Sequence, residues 1–213
     1  MRWWLSMLLA LFTGLASLFA VTDGFTVLTA ESARRQAIAR QARSIPETTV
    51  FDAQGRTFSM RGNLAADGRV AIVSFFYSRC ISLCLAQGFL TERLQNAIEV
   101  SGLSGQIRLI SLSFDDRDQA DALTRYSERM QANSSIWQIW SFSNPAQRED
   151  MLRLFGITVV QASLGQFEHN AAYHLVTPNG HLVGIVNDDQ PGLALSEARR
   201  LAADLVRVAQ ALP

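Results

Sequence analysis

A short apolar run, RVAIVSFF at residues 69–76, constrains the fold more than any other feature of the sequence. Because apolar side chains would face both sides of a strand here, the run is typical of a sheet covered on both faces. The apolar residues that follow take helical spacing instead, at Leu83, Leu90, Leu94 and Ile98. The sequence therefore predicts a strand followed by a helix, the repeating unit of α/β proteins.

The same alternation continues toward the C-terminus. Strand patterns occupy Gln106–Phe114 and Ile136–Phe142, and helix patterns occupy Asp116–Met130, a segment starting at Asn144–Pro145, and Leu195–Leu212. Asn before Pro is typical of a helix start, because Asn caps the first turn and Pro suits its first position.

Two hairpins complete the pattern. Residues 48–60 hold two short β-like runs around Asp52–Gly55, and Ala171–Val186 turns at Asn179–Gly180, a dipeptide typical of tight hairpins. The order β-hairpin, βαβαβα, β-hairpin, α predicts an α/β fold. We expect a thioredoxin-like mixed sheet flanked by helices, with an extra N-terminal β-hairpin.

The N-terminus carries a run of 20 residues without a charged side chain, from Trp3 to Thr22. As a helix rising about 1.5 Å per residue it would be roughly 30 Å long, which matches the hydrocarbon core of a bilayer. The alternative is a cleaved signal peptide, but a site after Ala20 has the large Leu18 where a small residue is preferred. We expect residues 1–29 to form an N-terminal transmembrane helix, as an anchor or an uncleaved signal.

An Arg-rich segment, residues 30–44, is predicted to be a stalk that leads to the folded domain of residues 45–213. Only Arg2 precedes the apolar run, whereas several arginines follow it. Taken alone, the positive-inside rule would place the following side in the cytoplasm.

The overall charge excludes one large class of partner. The chain has 19 basic and 19 acidic residues, whereas a nucleic-acid-binding surface requires a basic excess. Every basic residue is Arg, so the mechanism cannot use a lysine amine as a Schiff base or a phosphate ligand.

The only two cysteines, Cys80 and Cys84, lie in the segment FFYSRCISLC, where the first long strand gives way to a helix. In open α/β sheets, ligands bind at the carboxyl ends of strands. The positive end of the helix dipole and the charge of Arg79 are both expected to lower the pKa of a thiol at this position.

The spacing of the two cysteines leaves several uses open. On a helix, residues four apart have Cβ atoms about 5–6 Å apart, whereas a relaxed disulfide prefers about 3.8 Å. A bridge would therefore be strained and reducible, and would make Cys80 and Cys84 a redox pair. Two thiolates could instead bind a soft ion such as Cu(I). A purely structural disulfide is the weaker alternative, because closing so short a loop removes little chain entropy.

Three histidines could supply a further metal ligand. His181 follows a turn and is expected to be exposed, and His174 is expected to be a hydrogen-bonded strand residue. His169 lies in the segment GQFEHN, just before the last hairpin. We expect a loop there that faces the cysteines.

These segments together resemble the Sco/SenC family of membrane-anchored, thioredoxin-like copper chaperones. The resemblance covers Ile45–Val186 and is carried by FFYSRCISLC, by FDDRDQADAL, and by HNAAYHLVTPNG. It implies that Cys80, Cys84 and His169 bind copper, as Cu(I) or Cu(II). The thioredoxin-like domain of residues 45–213 would then be the copper-binding domain.

The resemblance also implies a function. The family delivers copper to a cuproprotein, above all to the CuA site of cytochrome c oxidase during its assembly. The expected partners are cytochrome c oxidase subunit II, other copper chaperones, and the membrane through the N-terminal anchor. We therefore expect a single span in the bacterial inner membrane with the soluble domain in the periplasm, against the arginine count.

The sequence departs from the family at several positions, and two other functions stay open. Ile81 and Leu85 replace prolines that usually follow the cysteines, and Phe114–Asp115 replaces an Asp-Pro pair. The alternative function is a thiol–disulfide oxidoreductase that keeps client cysteines reduced; no classical enzyme activity is expected otherwise. A thiol peroxidase is disfavoured, because Tyr77 stands where those enzymes have Thr.

Overall fold

A computed structural model describes residues 2–21, 30–80 and 83–211; the side chains of residues 2, 5, 21, 30, 83–85 and 211 are not part of the description. The chain divides into two compact units, Met1–Gln41 and Ala42–Pro213. None of the described helices is both long enough and apolar enough to qualify as a membrane span.

The first unit contains two helices, α1 (Arg2–Val21) and α2 (Ala30–Arg40). The second lies in the Arg-rich segment that is predicted to be a stalk. The carboxylate of Glu31 lies in its first turn and accepts hydrogen bonds from Arg34 and Arg35, at 2.9 and 2.8 Å. These contacts one turn apart stabilise a short polar helix.

The second unit is built on one large sheet. Its eight strands are β1 (Arg43–Ser44), β2 (Thr49–Asp52), β3 (Thr57–Ser59), β4 (Val70–Phe76), β5 (Ile107–Ser113), β6 (Trp137–Phe142), β9 (Ala172–Val176) and β10 (His181–Asn187). A separate two-stranded sheet joins β7 (Val159–Gln161) to β8 (Phe167–His169). The helices are α3 (Met60–Asp67), α4 (Leu83–Val100), α5 (Ala120–Arg129), α6 (Pro145–Phe155) and α7 (Pro191–Ala211).

The large sheet is mixed, as the sequence predicts. Its spatial order is β1-β10-β9-β4-β5-β6-β2-β3. The neighbours β4, β5 and β6 run parallel, and the outer pairs run antiparallel. Every residue of β4 and of β5 is buried, so the continuous apolar runs do form strands covered on both faces.

Several local predictions are confirmed. The hairpin of β2 and β3, the hairpin of β9 and β10 and the helix start at Asn144 all occur where the sequence places them. The Asn144 side chain accepts hydrogen bonds from the amides of Ala146 and Gln147, and Pro145 occupies the first helical position.

Other boundaries differ from the prediction. Helix α5 begins at Ala120 rather than at Asp116, because the acidic side chains before it serve a buried turn instead of a helix start. Helix α7 begins at Pro191 rather than Leu195. The sequence patterns also missed α3 and the hairpin of β7 and β8. These elements are short and offer little periodicity.

Candidate functional site

The first cysteine lies in a tight turn at the carboxyl end of β4. The backbone N–H of Cys80 donates to the carbonyl of Tyr77 at 3.3 Å, and Cys80 is buried, with 5% of its surface exposed. Cys84 belongs to the first turn of α4. Its side chain lies outside the description, so the relation between the two sulfur atoms stays a prediction.

A buried carboxylate fixes this turn to the next strand. Asp118 accepts hydrogen bonds from the backbone N–H of Ser78 at 2.7 Å, from the Ser78 hydroxyl at 2.5 Å and from the Ser113 hydroxyl at 2.6 Å. Ser78 follows β4 and Ser113 ends β5. Because all three donors converge on one buried carboxylate, the ends of both strands are held in one arrangement.

The sequence suggests that the charge of Arg79 acts on the neighbouring thiol, but the structure shows a competing partner. Arg79 donates to the carboxylate of Asp115 at 2.7 Å, and Arg117 donates to the same carboxylate at 2.7 Å. Burial raises the pKa of Asp115, while the hydrogen bond from Arg79 acts in the opposite direction. Since Arg79 forms an ion pair, its effect on the thiol is weaker than the sequence alone suggests.

The residue that starts the cysteine turn also binds the small hairpin of β7 and β8. The Tyr77 hydroxyl lies 3.0 Å from Oε1 of Gln166 and 3.1 Å from the carbonyl of Phe167, as the donor to both. It also accepts from the backbone N–H of Phe167 at 3.2 Å. Arg117 adds a hydrogen bond to the carbonyl of Gly165 at 3.0 Å. The hairpin is therefore held at the end of the sheet where Cys80 lies.

His169 lies on this hairpin and not in the loop that was expected. It is the last residue of β8 and pairs with Val159 of β7. Its ring meets Phe114 edge-on, with centroids 4.9 Å apart, and Tyr77 at 6.3 Å. Because Tyr77 follows β4 and Phe114 follows β5, the His169 ring lies at the carboxyl ends of the parallel strands, as does Cys80.

The surroundings of His169 favour its neutral form. Burial lowers the pKa of His169 below its ordinary value of 6.5, against opposing effects of the Asn170 carbonyl and of Asp188. Nδ1 lies 3.0 Å from that carbonyl oxygen. A neutral ring that donates from Nδ1 carries its lone pair on Nε2, which is the form that binds metal ions.

The other two histidines do not share this position. His174 is fully buried on β9, with Nδ1 at 3.2 Å from the carbonyl of Val73 and Nε2 at 3.1 Å from that of Phe155. His181 pairs with Ser44 at the start of β10 and is half-buried rather than exposed. His174 is thus a hydrogen-bonded core residue, as its strand position predicts.

Among the described side chains, no group of three or more His, Cys, Asp and Glu residues could hold a metal ion. The predicted ligand Cys84 is not among these side chains, because its side chain is not described. The sequence reasoning missed Asp115, Asp118 and the hydroxyl of Tyr77. The segment FDDRD could have indicated the roles of Asp115 and Asp118, because acidic residues directly after a buried strand can accept hydrogen bonds in a turn as well as start a helix.

Comparison with known proteins identifies the family of the chain. The SCO1/SenC family model matches residues 38–207, which confirms the family resemblance predicted from the sequence. Among curated protein sequences, no match was found.

Solved structures share the fold. A SCO1/SenC family lipoprotein from Bacillus anthracis is 18% identical with a TM-score of 0.64, over 80% of this chain and 98% of that one. BsSco, a member of the Sco family of cytochrome c oxidase assembly proteins, is 19% identical with a TM-score of 0.65, over 76% and 95%. ScoI of Bradyrhizobium japonicum with copper bound is 18% identical with a TM-score of 0.60, over 74% and 99%. These similarities establish a thioredoxin-like mixed α/β fold.

Proposed function

Because the chain belongs to the SCO1/SenC family, we propose that it binds copper as a cargo ion and delivers it to a cuproprotein. The ligands are Cys80, Cys84 and His169. The observation that carries the proposal is the pair of hydrogen bonds between Tyr77 and Phe167. They fix the hairpin of His169 against the turn of Cys80. A copper-bound structure of a related ScoI supports the choice of metal.

The residues suit Cu(I) chemically. Thiolates select Cu(I) among biological metals, and a neutral imidazole completes such a site. Binding releases the thiol protons. The edge-on rings of Phe114 and Tyr77 restrain the imidazole of His169, so little rotamer freedom is lost when the ion binds.

The test is an anaerobic Cu(I) titration of the full-length chain against a chelator of known affinity. We expect one copper per chain, and loss of that site in Cys80→Ser and Cys84→Ser. The half-buried His181 provides the control, since His181→Ala should bind as the wild type does. Less than half a copper per wild-type chain would refute the proposal.

The proposed client is the CuA site of cytochrome c oxidase subunit II, with another copper chaperone as the source of the ion. The assembly role of BsSco supports this choice. Mixing two equivalents of the Cu(I)-loaded chain with one of the copper-free CuA domain should transfer both ions, and the absorption of the CuA centre should develop when a one-electron oxidant is then added. A loaded His169→Ala chain should lose its copper to chelator and client alike. Retention of all copper by the wild-type chain would argue for another client.

The alternative of a thiol–disulfide oxidoreductase rests on the spacing of Cys80 and Cys84 alone. Structural disulfides have reduction potentials below about −300 mV. If Cys80 and Cys84 act as a redox pair, their measured reduction potential should lie well above that value.

We also propose that residues 1–29 anchor the chain in the bacterial inner membrane, with the soluble domain in the periplasm. The uncharged run from Trp3 to Thr22 supports this topology. A C-terminal alkaline phosphatase fusion should be active and should sediment with membranes. An active β-galactosidase fusion would show instead that the arginines after the run set the orientation.

A further inference from the structure

A buried arginine lies at the amino end of the parallel strands, opposite to the end where Cys80 lies. Arg108, the second residue of β5, is fully buried. Its Nη1 donates to Oδ1 of Asn63 at 2.8 Å and to Oε1 of Gln138 at 3.2 Å. Its Nε and Nη2 are also buried, and among the residues that the structure describes neither atom has a hydrogen-bond partner. We call these two atoms the free edge of Arg108.

Two other arginines of the chain use the same edge to hold a carboxylate. Nε and Nη2 of Arg69 donate to the two carboxylate oxygens of Asp67, at 2.7 and 2.8 Å. Nε and Nη2 of Arg117 donate to those of Asp115, also at 2.7 and 2.8 Å. The two donors match the spacing of two oxygens in one oxyanion. Because buried donors without acceptors are unfavourable, the free edge of Arg108 indicates an oxyanion that the described residues do not supply.

The positive charge of Arg108 is only partly balanced. Its Nη1 lies 3.3 Å from Oδ2 of Asp67, but Arg69 already binds both oxygens of that carboxylate. Burial lowers the pKa of Arg108 to about 10, and the charged groups that also act on this pKa are Asp67 and Arg69. The side chain therefore stays charged at neutral pH. Two guanidinium groups that share one carboxylate leave a single positive charge, which a monoanion would balance.

A cleft lies beside Arg108. Asn63 and Gln138, the two acceptors of Nη1, line a cavity of about 650 Å³ together with Phe58 and Trp140. The Cζ atom of Arg108 lies 5.5 Å from the ring centroid of Trp140, and the Phe58 ring meets the Trp140 ring edge-on at 5.1 Å. The cleft thus combines aromatic walls with a nearby buried charge. Its volume is in the range that holds small organic ligands.

The side chain of Gln138 lies between the cleft and Arg108, since it lines the cleft and accepts a hydrogen bond from Nη1. It is half-buried. Both of its hydrogen bonds are long, at 3.2 Å to Arg108 and 3.4 Å from its Nε2 to the carbonyl of Ser134. Long hydrogen bonds are weak. Displacement of this side chain therefore costs little and gives access from the cleft to the free edge.

We propose that Arg108 binds the carboxylate of a small organic monoanion, whose apolar body lies in the cleft against Phe58 and Trp140. The carboxylate displaces Gln138 and accepts two hydrogen bonds, from Nε and from Nη2. A doubly charged anion such as sulfate fits less well, because it would leave one negative charge buried without a partner. The site lies at the opposite end of the strands from Cys80, so it does not depend on the proposed copper function.

The experiment titrates the full-length, copper-free chain with benzoate, which joins a carboxylate to a planar apolar ring. Benzamide, a neutral analogue of the same shape, and sulfate, a dianion, are the comparison ligands, and chloride keeps the ionic strength constant. Thermal unfolding at increasing ligand concentration gives each affinity, since a ligand that binds only the folded chain raises the unfolding temperature. The wild type should bind benzoate at least tenfold more tightly than benzamide or sulfate.

Three variants locate the site. Arg108→Met should bind benzoate no more tightly than benzamide, and without ligand its unfolding temperature should be unchanged or higher, because a partly balanced buried charge is removed. Arg56→Met is the matched control, since Arg56 lines the same cleft but is exposed, and it should bind benzoate within twofold of the wild type. Gln138→Ala should bind benzoate severalfold more tightly, because the side chain to be displaced is gone.

Equal affinities of the wild type for benzoate and benzamide, or no binding of benzoate, would overturn the proposal. An equal loss of benzoate affinity in Arg56→Met would also overturn it, because the carboxylate would then be held by an exposed arginine of the cleft. Tighter binding of sulfate than of benzoate would contradict the assignment of a monoanion. If Arg108→Met does not fold, Gln138→Ala decides, since a benzoate affinity no higher than that of the wild type would show that the carboxylate does not reach Arg108.

Discussion

The hydroxyl of Tyr77 donates to the carbonyl of Phe167 at 3.1 Å and accepts from the amide of the same residue at 3.2 Å. Tyr77 starts the turn that contains Cys80, and Phe167 starts the strand that ends at His169. One side chain thereby links the two segments that carry proposed copper ligands. Because hydrogen bonds to backbone atoms also restrict the backbone, the link orients β8 as well as attaching it.

Tyr77→Phe removes this link but keeps the ring. The loss of a hydrogen bond of about 1 kcal/mol should loosen the hairpin, weaken Cu(I) binding about fivefold and speed hydrogen exchange at the Phe167 amide. Tyr173→Phe is the control, since it removes a buried hydroxyl that contacts Thr91 and not the hairpin. Equal copper affinities in the wild type and Tyr77→Phe would show that the link does not orient His169.

The two histidines should respond differently to truncation. His169→Ala should bind Cu(I) more than tenfold more weakly, a cost above about 1.4 kcal/mol, at little cost in stability. His174→Ala should bind nearly as the wild type but lose about 3 kcal/mol of unfolding free energy. That variant leaves a cavity and the carbonyls of Val73 and Phe155 without a ring partner. Chelator competition and urea unfolding measure the two effects, and a larger affinity loss in His174→Ala would contradict the ligand assignment.

The pKa of His169, which burial lowers below 6.5, predicts a pH dependence. The folded state resists protonation of this ring, so its contribution to stability is full above pH 6.5 and is lost as the pH falls through the lowered value. The affinity ratio of the wild type to His169→Ala should stay constant down through pH 6.5 and shrink only at lower pH. The ratio cancels the thiol contribution. A ratio that already shrinks above pH 6.5 would mean that the ring titrates more easily than its surroundings imply.

Asp115→Asn should destabilise the turn beside the cysteines. The variant leaves Arg79 and Arg117 without their shared carboxylate, but both arginines are half-exposed, at 46% and 41%. Solvent screening limits the expected loss to about 1–2 kcal/mol. Asp121→Asn, which breaks the exposed pair of Asp121 with Arg125, should leave the unfolding free energy nearly unchanged. If urea unfolding gives similar losses of unfolding free energy for the two variants, the burial of Asp115 does not strengthen its ion pairs.

Part of the fold could be predicted from local patterns. The apolar run at residues 69–76, the helix start at Asn144 and the turn at Asn179–Gly180 each depend on the conformational preferences of a few neighbouring residues. The order of these elements was enough to predict a mixed sheet with the first cysteine at a strand end. Such preferences act within one turn or one hairpin, so they can be predicted from the neighbouring residues of the sequence.

The sequence by itself thus determined the longer strands and helices, their order and the residue types of the proposed copper site. The tertiary structure decided how those residues are held. Asp118 became a turn acceptor rather than a helix start because the donors of Ser78, which follows β4, and of Ser113, which ends β5, converge on it where water is excluded. His169 lies at the carboxyl ends of the parallel strands because β8 pairs with β7 and Tyr77 binds Phe167 of β8. These are contacts between segments far apart in sequence, and their geometry exists only once the sheet has formed.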